Sequence, residues 1–203
     1  MSTTPRPPRL ALRSAGLAAA ASVATAALLA CSATPASSAT STTVTVRIAA
    51  GHETDARDHG RPVVLIAAAL GVPTEVFREA FSGVHPADPD EGPTSDEAQA
   101  NKAALLKVLA PYGVTNERLD EVSNHYRYVQ SHGELWTHSA AKARAVVRGG
   151  KIVALKLVDG GAGYSSTPTV TVKGYPAAKV KVRVAYGTDL QANGRIASLK
   201  LGK

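Results

Sequence analysis

The segment from His52 to His59 is the densest group of side chains that could do chemistry. It reads His-Glu-Thr-Asp-Ala-Arg-Asp-His, with two histidines and three carboxylates in eight positions. In a helix, His52, Asp55 and His59 would share a face, and imidazole and carboxylate groups suit ions such as Zn²⁺ or Mn²⁺. Flanking glycines and a following proline favour instead a solvated loop that leads into a helix, with Asp58 or His59 near the helix N-terminus. The spacing matches no known metal motif, so both interpretations stay open.

A row of cations is the second pattern that could do chemistry. The run from Ala178 to Tyr186 alternates strictly and predicts a strand, with side chains about 7 Å apart along each face. The row could bind an anion, or it could protect an exposed edge strand against aggregation. The residues predicted to face inward are Val180, Val182, Val184 and Tyr186. Those predicted to face outward, as a possible anion-binding row, are Lys179, Lys181 and Arg183.

Other catalytic patterns are missing from the sequence. It has no Gly-X-Ser-X-Gly, His-Glu-X-X-His or Cys-His constellation. The glycine-rich run at 160–163 is followed by no Lys-Ser or Lys-Thr and precedes a predicted strand, so it does not indicate a nucleotide site. The acidic loop from His85 to Pro93 could bind Ca²⁺ or Mg²⁺, although a solvated connector has the same composition. We expect no catalytic residues and no cofactor.

Charge divides the chain into two unlike parts. Residues 40–138 hold 8 Lys and Arg against 14 Asp and Glu, whereas residues 139–203 hold 12 against 2. The basic part could attract the acidic part, or it could face phospholipid headgroups, an acidic envelope polymer or a protein partner. Only 4% of the residues are aromatic. Few rings are therefore available to stack on bases, and we expect no nucleic-acid partner.

The aromatic residues are concentrated between Tyr126 and His138. This segment holds the only tryptophan, Trp136, together with two tyrosines and two histidines, a density typical of a binding edge. In the alternative interpretation, Trp136 packs where the helical part meets the β part, with Gly133 making the turn between them.

Helix boundary signals predict two helical hairpins. Prolines and N-cap residues stand at the helix starts, including the capping box Thr94-Ser-Asp-Glu97, and glycines follow the helix ends. Before the hairpins, Val44–Ile48 alternates as a short strand that could join the C-terminal sheet. The predicted helices run from Pro62 to Leu70, from Val72 to Gly83, from Thr94 to Gly113, and from Thr115 through Tyr126.

The last third contains an internal repeat. The eight residues Gly150-Lys-Ile-Val-Ala-Leu-Lys-Leu157 return as Gly194-Arg-Ile-Ala-Ser-Leu-Lys-Leu201. In each copy a glycine precedes alternating side chains, the pattern of a turn that leads into a half-buried strand. Gly149 and Gly150 suit a two-residue hairpin turn after a strand that starts near Ala143. We expect a small antiparallel β-module.

The N-terminus has the composition of an export signal. Three arginines and no acids precede an apolar run from Ala15 to Ala30, which is shorter than the ~20 residues of a membrane-spanning helix. The run ends in Leu28-Leu-Ala-Cys31, which resembles the lipobox of bacterial lipoproteins. That resemblance implies that Cys31 is acylated, with chains such as palmitate, and becomes the first mature residue. The alternative is a plain secretory signal that leaves the protein secreted.

Two further resemblances concern the folded parts. Gly161-Ala-Gly-Tyr164, two serines and the later Pro-Thr-Val resemble a repeated β-module of bacterial surface and phage-associated proteins, which implies a non-catalytic scaffold or adhesion role. The hairpin turns, at Gly71 and Gly113, are similar to those of small helical envelope proteins, including some periplasmic chaperones.

Together these patterns predict an α+β protein with a helical-hairpin region of about four helices followed by a small antiparallel β-module. The segments are a lipoprotein signal peptide over 1–31, a flexible tether over 32–43, a short strand plus acidic helical region over 44–138, and a basic β-module over 139–203. The leading hypothesis is a lipid-anchored, non-catalytic protein of the bacterial cell membrane or outer membrane that acts as a binding or scaffold module. The alternatives are a metal-dependent envelope hydrolase using His52, Asp55, Asp58 and His59, and a chaperone-like helical protein.

Overall fold

The computed structural model describes residues 40–85 and 94–202, which belong to one compact unit. Within these residues the chain forms four α-helices and six strands, so the predicted α+β class is confirmed. Cys31, most of the predicted tether and the centre of the acidic loop lie outside the described residues. None of the helices described is both long and apolar enough to cross a bilayer.

The four helices form where the capping signals predicted them. The Thr94 hydroxyl accepts a hydrogen bond from Glu97 N while the Glu97 carboxylate accepts one from Thr94 N, which completes the capping box. Gly71 and Gly113 end their helical segments at φ of 73° and 82°, a left-handed conformation that costs glycine little. The helices are α1 (Val63–Leu70), α2 (Thr74–Ser82), α3 (Ser95–Leu109) and α4 (Asn116–His125).

The helical half has a dense apolar core. Helix α1 is apolar on all sides, and its Leu65, Ala67 and Ala69 are fully buried. Phe77 of α2, Leu109 of α3 and the buried face of α4 pack around it. Val114 and Leu119 are both buried on either side of the Thr115 cap, at the positions of a hydrophobic staple.

The six strands form two antiparallel layers. The first layer is a four-stranded sheet in the order β3-β2-β1-β4, and the second is a two-stranded ribbon of β5 and β6. Strand β1 lies inside the first sheet, so the predicted pairing of the N-terminal strand is confirmed. The strands are β1 (Ser41–Ala49), β2 (Lys142–Arg148), β3 (Lys151–Asp159), β4 (Thr169–Val172), β5 (Val180–Ala185) and β6 (Arg195–Leu201).

Strand β1 starts three residues earlier than the sequence predicted, at Ser41 rather than Val44. Ser41, Thr42 and Thr43 stand opposite Arg148, Val147 and Val146 of β2. Backbone pairing with a neighbouring strand ordered a stretch whose side chains gave no apolar signal, because the ladder hydrogen bonds do not depend on side-chain type.

The two layers pack face to face as a thin β-sandwich. Val46, Ala143, Ala145 and Val172 are buried on the inner face of the four-stranded sheet. The ribbon contributes half-buried side chains, including Val180 and Leu199, to the same cluster. Both copies of the internal repeat become strands, β3 in one layer and β6 in the other.

One end of this sandwich contacts the helical half. Asn193, which precedes β6 and is only 1% exposed, donates from Nδ2 to the Leu65 carbonyl at 2.7 Å and to the Tyr126 hydroxyl at 2.8 Å. A Cβ on the next residue, Gly194, would lie 2.6 Å from a Leu65 methyl group, so only glycine fits there. The β-module and the helices are therefore joined by buried polar and steric contacts.

Trp136 packs in this same junction, as the second interpretation of its segment expected. The side chain is 2% exposed, and its Nε1 donates to the Gly163 carbonyl at 2.8 Å. Tyr128 meets the indole edge-on with ring centres 5.6 Å apart. A contact with a ligand at Trp136 would require the junction to open.

The prediction that Tyr186 faces inward is wrong. Strand β5 ends at Ala185, and Tyr186 is 40% exposed, with its hydroxyl donating to the Ser165 carbonyl at 3.1 Å. The strand ends before Tyr186, so the alternation does not extend to this residue; the register shift between Arg183 and Val184 leaves Ala197 of β6 unpaired and does not change the faces of β5. Val180, Val182 and Val184 remain half-buried on the inner side.

Candidate functional site

The segment with the metal-ligand candidates folds as a loop around one short 3-10 turn, Ala56–Asp58. Asp55 caps this turn by accepting a hydrogen bond from Arg57 N at 2.9 Å. Its carboxylate also accepts bonds from the Arg57 guanidinium, and these bonds hold the pKa of Asp55 well below its usual range. Asp55 is thus committed to a cap and an ion pair.

Asp58 is buried and paired with an arginine from α2. Arg78 donates from Nε to Oδ1 at 2.7 Å and from Nη2 to Oδ2 at 2.8 Å, a two-pronged geometry. His59 follows the turn at φ of 49°, and its backbone N–H donates to the Ala56 carbonyl. Both carboxylates of the proposed metal cluster therefore have cationic partners already.

His52 lies in a different environment, among aromatic rings of the junction. Its ring stacks on Tyr164 with centres 5.2 Å apart and meets the ring of His138 edge-on at 4.9 Å. Burial, and secondarily the nearby His138, lowers the pKa of His52 below its ordinary value. His52 Nε2 is buried without a hydrogen-bond partner among the described residues.

The metal hypothesis gains no supporting geometry from this arrangement. Across residues 40–85 and 94–202, no three His, Cys, Asp or Glu side chains converge as a cation site. His52, Asp55 and His59 would share a face only in a helix, and the segment is a loop around a short 3-10 turn. His52 therefore packs against the rings of Tyr164 and His138, while Asp55 pairs with Arg57.

The serines beside His52 do not form a nucleophile–base pair with it. Ser166 donates its hydroxyl proton to Glu53 Oε2, and Ser165 donates to the Glu53 carbonyl at 2.8 Å. The Ser166 bond is the main reason why the pKa of Glu53 is lowered. These bonds fasten the loop after β1 to the loop before β4, which is a structural role.

The ribbon carries the cationic row that the sequence predicted, and one more cation beside it. Lys179, Lys181 and Arg183 are exposed, as expected of the outward positions. Lys200 of β6 stands directly opposite Lys181 in the ladder. We call this set, Lys179, Lys181, Arg183 and Lys200, the ribbon basic face.

A second basic surface, which the sequence pattern did not reveal, covers the outer side of the four-stranded sheet. Arg144 of β2 stands opposite Lys156 of β3, and Arg148 stands opposite Lys151. All of its cations are exposed. We call this set the sheet basic face; it consists of Arg47, Lys142, Arg144, Arg148, Lys151, Lys156 and Lys173.

Protection of an edge strand cannot explain the cations on the interior strands of the sheet basic face. Arg47 lies on β1 and Arg144 on β2, and both strands are interior in the order β3-β2-β1-β4. An interior strand has no free hydrogen-bonding edge to protect. The central cations therefore need another explanation than the one that suffices for the ribbon.

These cations have no acidic partners within the described residues. Each ion pair found there lies between residues 55 and 121, in the helical half. Asp159 stands opposite Lys142 in the ladder, but its Oδ1 accepts a hydrogen bond from Gly161 N. Like charges directly opposite each other on a sheet destabilise it, so both basic faces carry a folding cost.

The internal repeat places one lysine in each basic face. Lys156 and Lys200 occupy the same position in the two copies, and each stands opposite a cation, Arg144 or Lys181. The repeat was visible in the sequence, but the cross-strand partners were not, because alternation gives a face without giving the neighbouring strand. Combining the repeat with the predicted hairpins was the one signal that could have indicated the second face.

The function of the chain has to be inferred from these residues, because comparisons with known proteins find no relative. The fold and its two charged faces define an α+β unit with a basic β-sandwich. No protein-family model, curated protein or solved structure matches this chain. The resemblances to a lipobox and to a surface β-module therefore stay predictions from the sequence.

Proposed function

We propose that the protein is a lipid-anchored, non-catalytic protein of the bacterial envelope whose β-sandwich binds an anionic polymer. The observation that carries the proposal is the like-charge pairing of Lys156 with Arg144 and of Lys200 with Lys181. A polyanion that crosses these positions would neutralise both members of each pair and remove the repulsion.

The chemistry of the faces favours charge recognition over recognition of rings. Threonines such as Thr43 and Thr45 lie between the cations of the sheet basic face, and they can donate hydrogen bonds to phosphate or carboxylate oxygens. Cations about 7 Å apart along a strand and about 5 Å apart across strands suit a flexible chain with closely spaced charges. The partner is therefore expected to be an acidic envelope polymer.

The membrane location in this proposal rests on the sequence of the lipobox at Leu28–Cys31. Mass spectrometry of the mature N-terminus would test it directly, since an acylated Cys31 is expected there. An unmodified terminus downstream of Cys31 would replace the anchored form with a secreted one and leave the polymer site unaffected.

Binding to a defined polyanion tests the polymer site. The probe is polyphosphate of fixed length, titrated at several salt concentrations, and the test variant is Lys156→Gln with Lys200→Gln. Each lysine that contacts the polymer causes counterions to be released on binding. With two lysines removed fewer counterions are released, so we expect weaker binding and a slope of log K against log salt concentration that is smaller by about 1 to 2. The matched control is Lys107→Gln with Arg127→Gln, which removes the same charge from exposed positions of the helical half and should leave binding nearly unchanged.

Two outcomes would contradict this function. Equal weakening in the test and control variants would mean that net charge alone attracts the polymer, without a site. Tighter binding of a single-stranded oligonucleotide than of polyphosphate with the same charge would indicate a nucleic-acid partner instead.

A further inference from the structure

An apolar groove lies at the end of the β-sandwich that is opposite to the helical half. Asn193 and Gly194, which contact α1, precede β6, whereas the groove is lined where β6 ends. Its volume is about 590 Å³, within the range of ligand pockets. The apolar lining is Ile152, Tyr175, Pro176, Ala177, Ala178 and Leu201.

The groove exists because nothing among the described residues closes this end of the core. Ile152, Tyr175 and Ala178 pack against the buried cluster of the sandwich from the groove side and are only partly covered. Leu201, the last residue of β6, is 39% exposed although its ladder position faces inward like that of Val180 opposite it. Apolar surface is therefore left open at this end of the sandwich, where it is available to an apolar ligand.

The charged side chains around the groove are both cations, which favours an anionic ligand. Gly202 N already donates to the Lys179 carbonyl at 2.8 Å, and Ala178 N donates to the Tyr175 carbonyl at 3.0 Å. The charged side chains of the lining are Lys151 and Lys179, and the described lining includes no carboxylate. Lys151 belongs to the sheet basic face and Lys179 to the ribbon basic face, so the groove opens between the two.

The path of the chain brings this end of the sandwich toward the predicted anchor. Strand β1 begins at Ser41, opposite Arg148 and therefore beside the Gly149–Gly150 turn that borders the groove. Nine residues separate Cys31 from Ser41, and their span is at most roughly 30–35 Å at full extension. An acylated Cys31 would therefore keep the groove within that distance of the bilayer.

From these observations we propose that the groove binds an acyl chain of an anionic membrane phospholipid, with the phosphate between Lys151 and Lys179. The acyl chain packs against the apolar lining, and the ammonium groups of the two lysines form ion pairs with the headgroup phosphate. The inference rests on the proposed membrane location but not on the polymer site. The groove uses Lys151 and Lys179 of the two basic faces, whereas the like-charge pairs that carry the polymer proposal, at Lys156 and Lys200, do not line it.

A single-chain probe tests the groove without a bilayer. Dodecyl phosphate below its micellar concentration is titrated into the chain carrying Cys31→Ser, and backbone amide shifts of Gly150, Gly174 and Gly202 are followed by NMR. These glycines line the groove. We expect saturable shifts with dodecyl phosphate, and at least tenfold weaker effects with dodecyl maltoside, which lacks the charge, and with inorganic phosphate, which lacks the chain.

Two variants locate the binding within the groove. Ala177→Trp places a ring in the groove from an exposed position, so the protein should fold normally while dodecyl phosphate binding falls at least tenfold. Leu201→Gln, which makes the apolar lining polar, serves the same purpose if the ring disturbs the connection between β4 and β5. Lys151→Gln with Lys179→Gln should weaken dodecyl phosphate several-fold and leave dodecyl maltoside unchanged.

The same variants separate this inference from the proposed function. Ala177→Trp should keep full polyphosphate binding and lose binding to vesicles of phosphatidylglycerol, measured relative to phosphatidylcholine vesicles. Shifts equal for all three probes, or unchanged in Ala177→Trp, would overturn the groove. Weaker polyphosphate binding with intact dodecyl phosphate binding in Lys156→Gln, Lys200→Gln would support both sites and show that they are separate. Unchanged polyphosphate binding in that variant, with intact dodecyl phosphate binding, would contradict the polymer site and leave only the groove supported.

Discussion

The helical half and the β-sandwich handle their charged side chains in opposite ways. In the helical half, arginines meet carboxylates: Arg78 is held by Asp58 and Glu75, and Arg118 bonds both Glu121 and the Ala69 carbonyl. In the sandwich, cations stand opposite cations, at Arg144 with Lys156 and at Lys181 with Lys200. Charge serves the fold in one region and is left uncompensated in the other.

The two regions also differ in how much they bury. The helical core holds large side chains such as Leu65, Phe77 and Leu109, while two of the buried positions in the sandwich are alanines, Ala143 and Ala145. Apolar burial stabilises in proportion to area. The helical half therefore has the larger apolar core and can stabilise a sandwich that is destabilised by repulsion between its cations. This requires an intact junction between the two regions.

The largest expected effect comes from breaking that junction at Trp136. Trp136→Ala should lower the free energy of unfolding by about 3–5 kcal/mol, because it leaves a cavity in the core and removes the donor to the Gly163 carbonyl. Chemical denaturation followed by far-UV circular dichroism measures this. The control is Leu135→Ala, whose side chain is 46% exposed and whose loss should cost less than about 0.5 kcal/mol.

Hydrogen exchange of the same two variants sharpens the comparison. If the sandwich depends on the helices, amides of β2 and β6 should lose protection along with those of α1 in Trp136→Ala. Unchanged protection in the strands would show that the sandwich is stable by itself, and would contradict the dependence argued here.

The fold was predictable from sequence wherever local signals decide it. The capping box at Thr94, the Thr115 cap and the glycines after the helices specify boundaries through contacts between near neighbours. Alternation likewise located β2, β3 and β5. The alternation of β1 indicated that this strand could join the sheet, but its interior position between β2 and β4 depends on long-range pairing and was not predicted. The sheet basic face was missed with it.

The candidate sites follow the same rule. Period-2 alternation is a local pattern, so it was sufficient to predict the outward positions Lys179, Lys181 and Arg183. Alternation could not indicate that Lys200 stands opposite Lys181. It also could not indicate that His52 packs against His138 and Tyr164 and not beside the carboxylates of its own segment. Both depend on cross-strand register and on packing between distant segments.

A second, smaller effect is the dependence of stability on pH through His52, which lies in the junction and is neither paired with a carboxylate nor part of a basic face. Its pKa is lowered in the folded state by burial and by His138, with Glu53 acting in the opposite direction; Tyr164 and Trp136 complete its surroundings. The unfolded chain therefore binds the proton more readily. This contribution to stability is complete above the ordinary histidine pKa of about 6.5 and is lost as the pH falls below it.

Thermal unfolding between pH 7.5 and 5 measures this loss. His52→Phe keeps a ring against Tyr164 and cannot be protonated, so its stability should fall less steeply with acid than that of the natural chain. His125, whose pKa is lowered mainly by burial, adds a loss that remains in both proteins. His132→Gln changes an exposed histidine and should follow the natural curve; a parallel curve for His52→Phe would exclude His52 as the source.

The smallest expected effect is the most specific for the comparison, because the two regions should respond with opposite signs. Lys156→Gln removes one member of a like-charge pair, so it should raise the free energy of unfolding by roughly 0.2–1 kcal/mol at low salt. Lys107→Gln removes a cation from the last turn of α3, where it interacts favourably with the helix dipole, and should lower stability by about 0.3 kcal/mol or more. Raising the salt from 0.01 to 1 M shortens the screening length from about 30 to 3 Å, and both differences should then shrink toward zero. A loss of stability in Lys156→Gln at low salt would mean that this lysine supports the sheet, and the sheet basic face would no longer require an anionic partner to explain it.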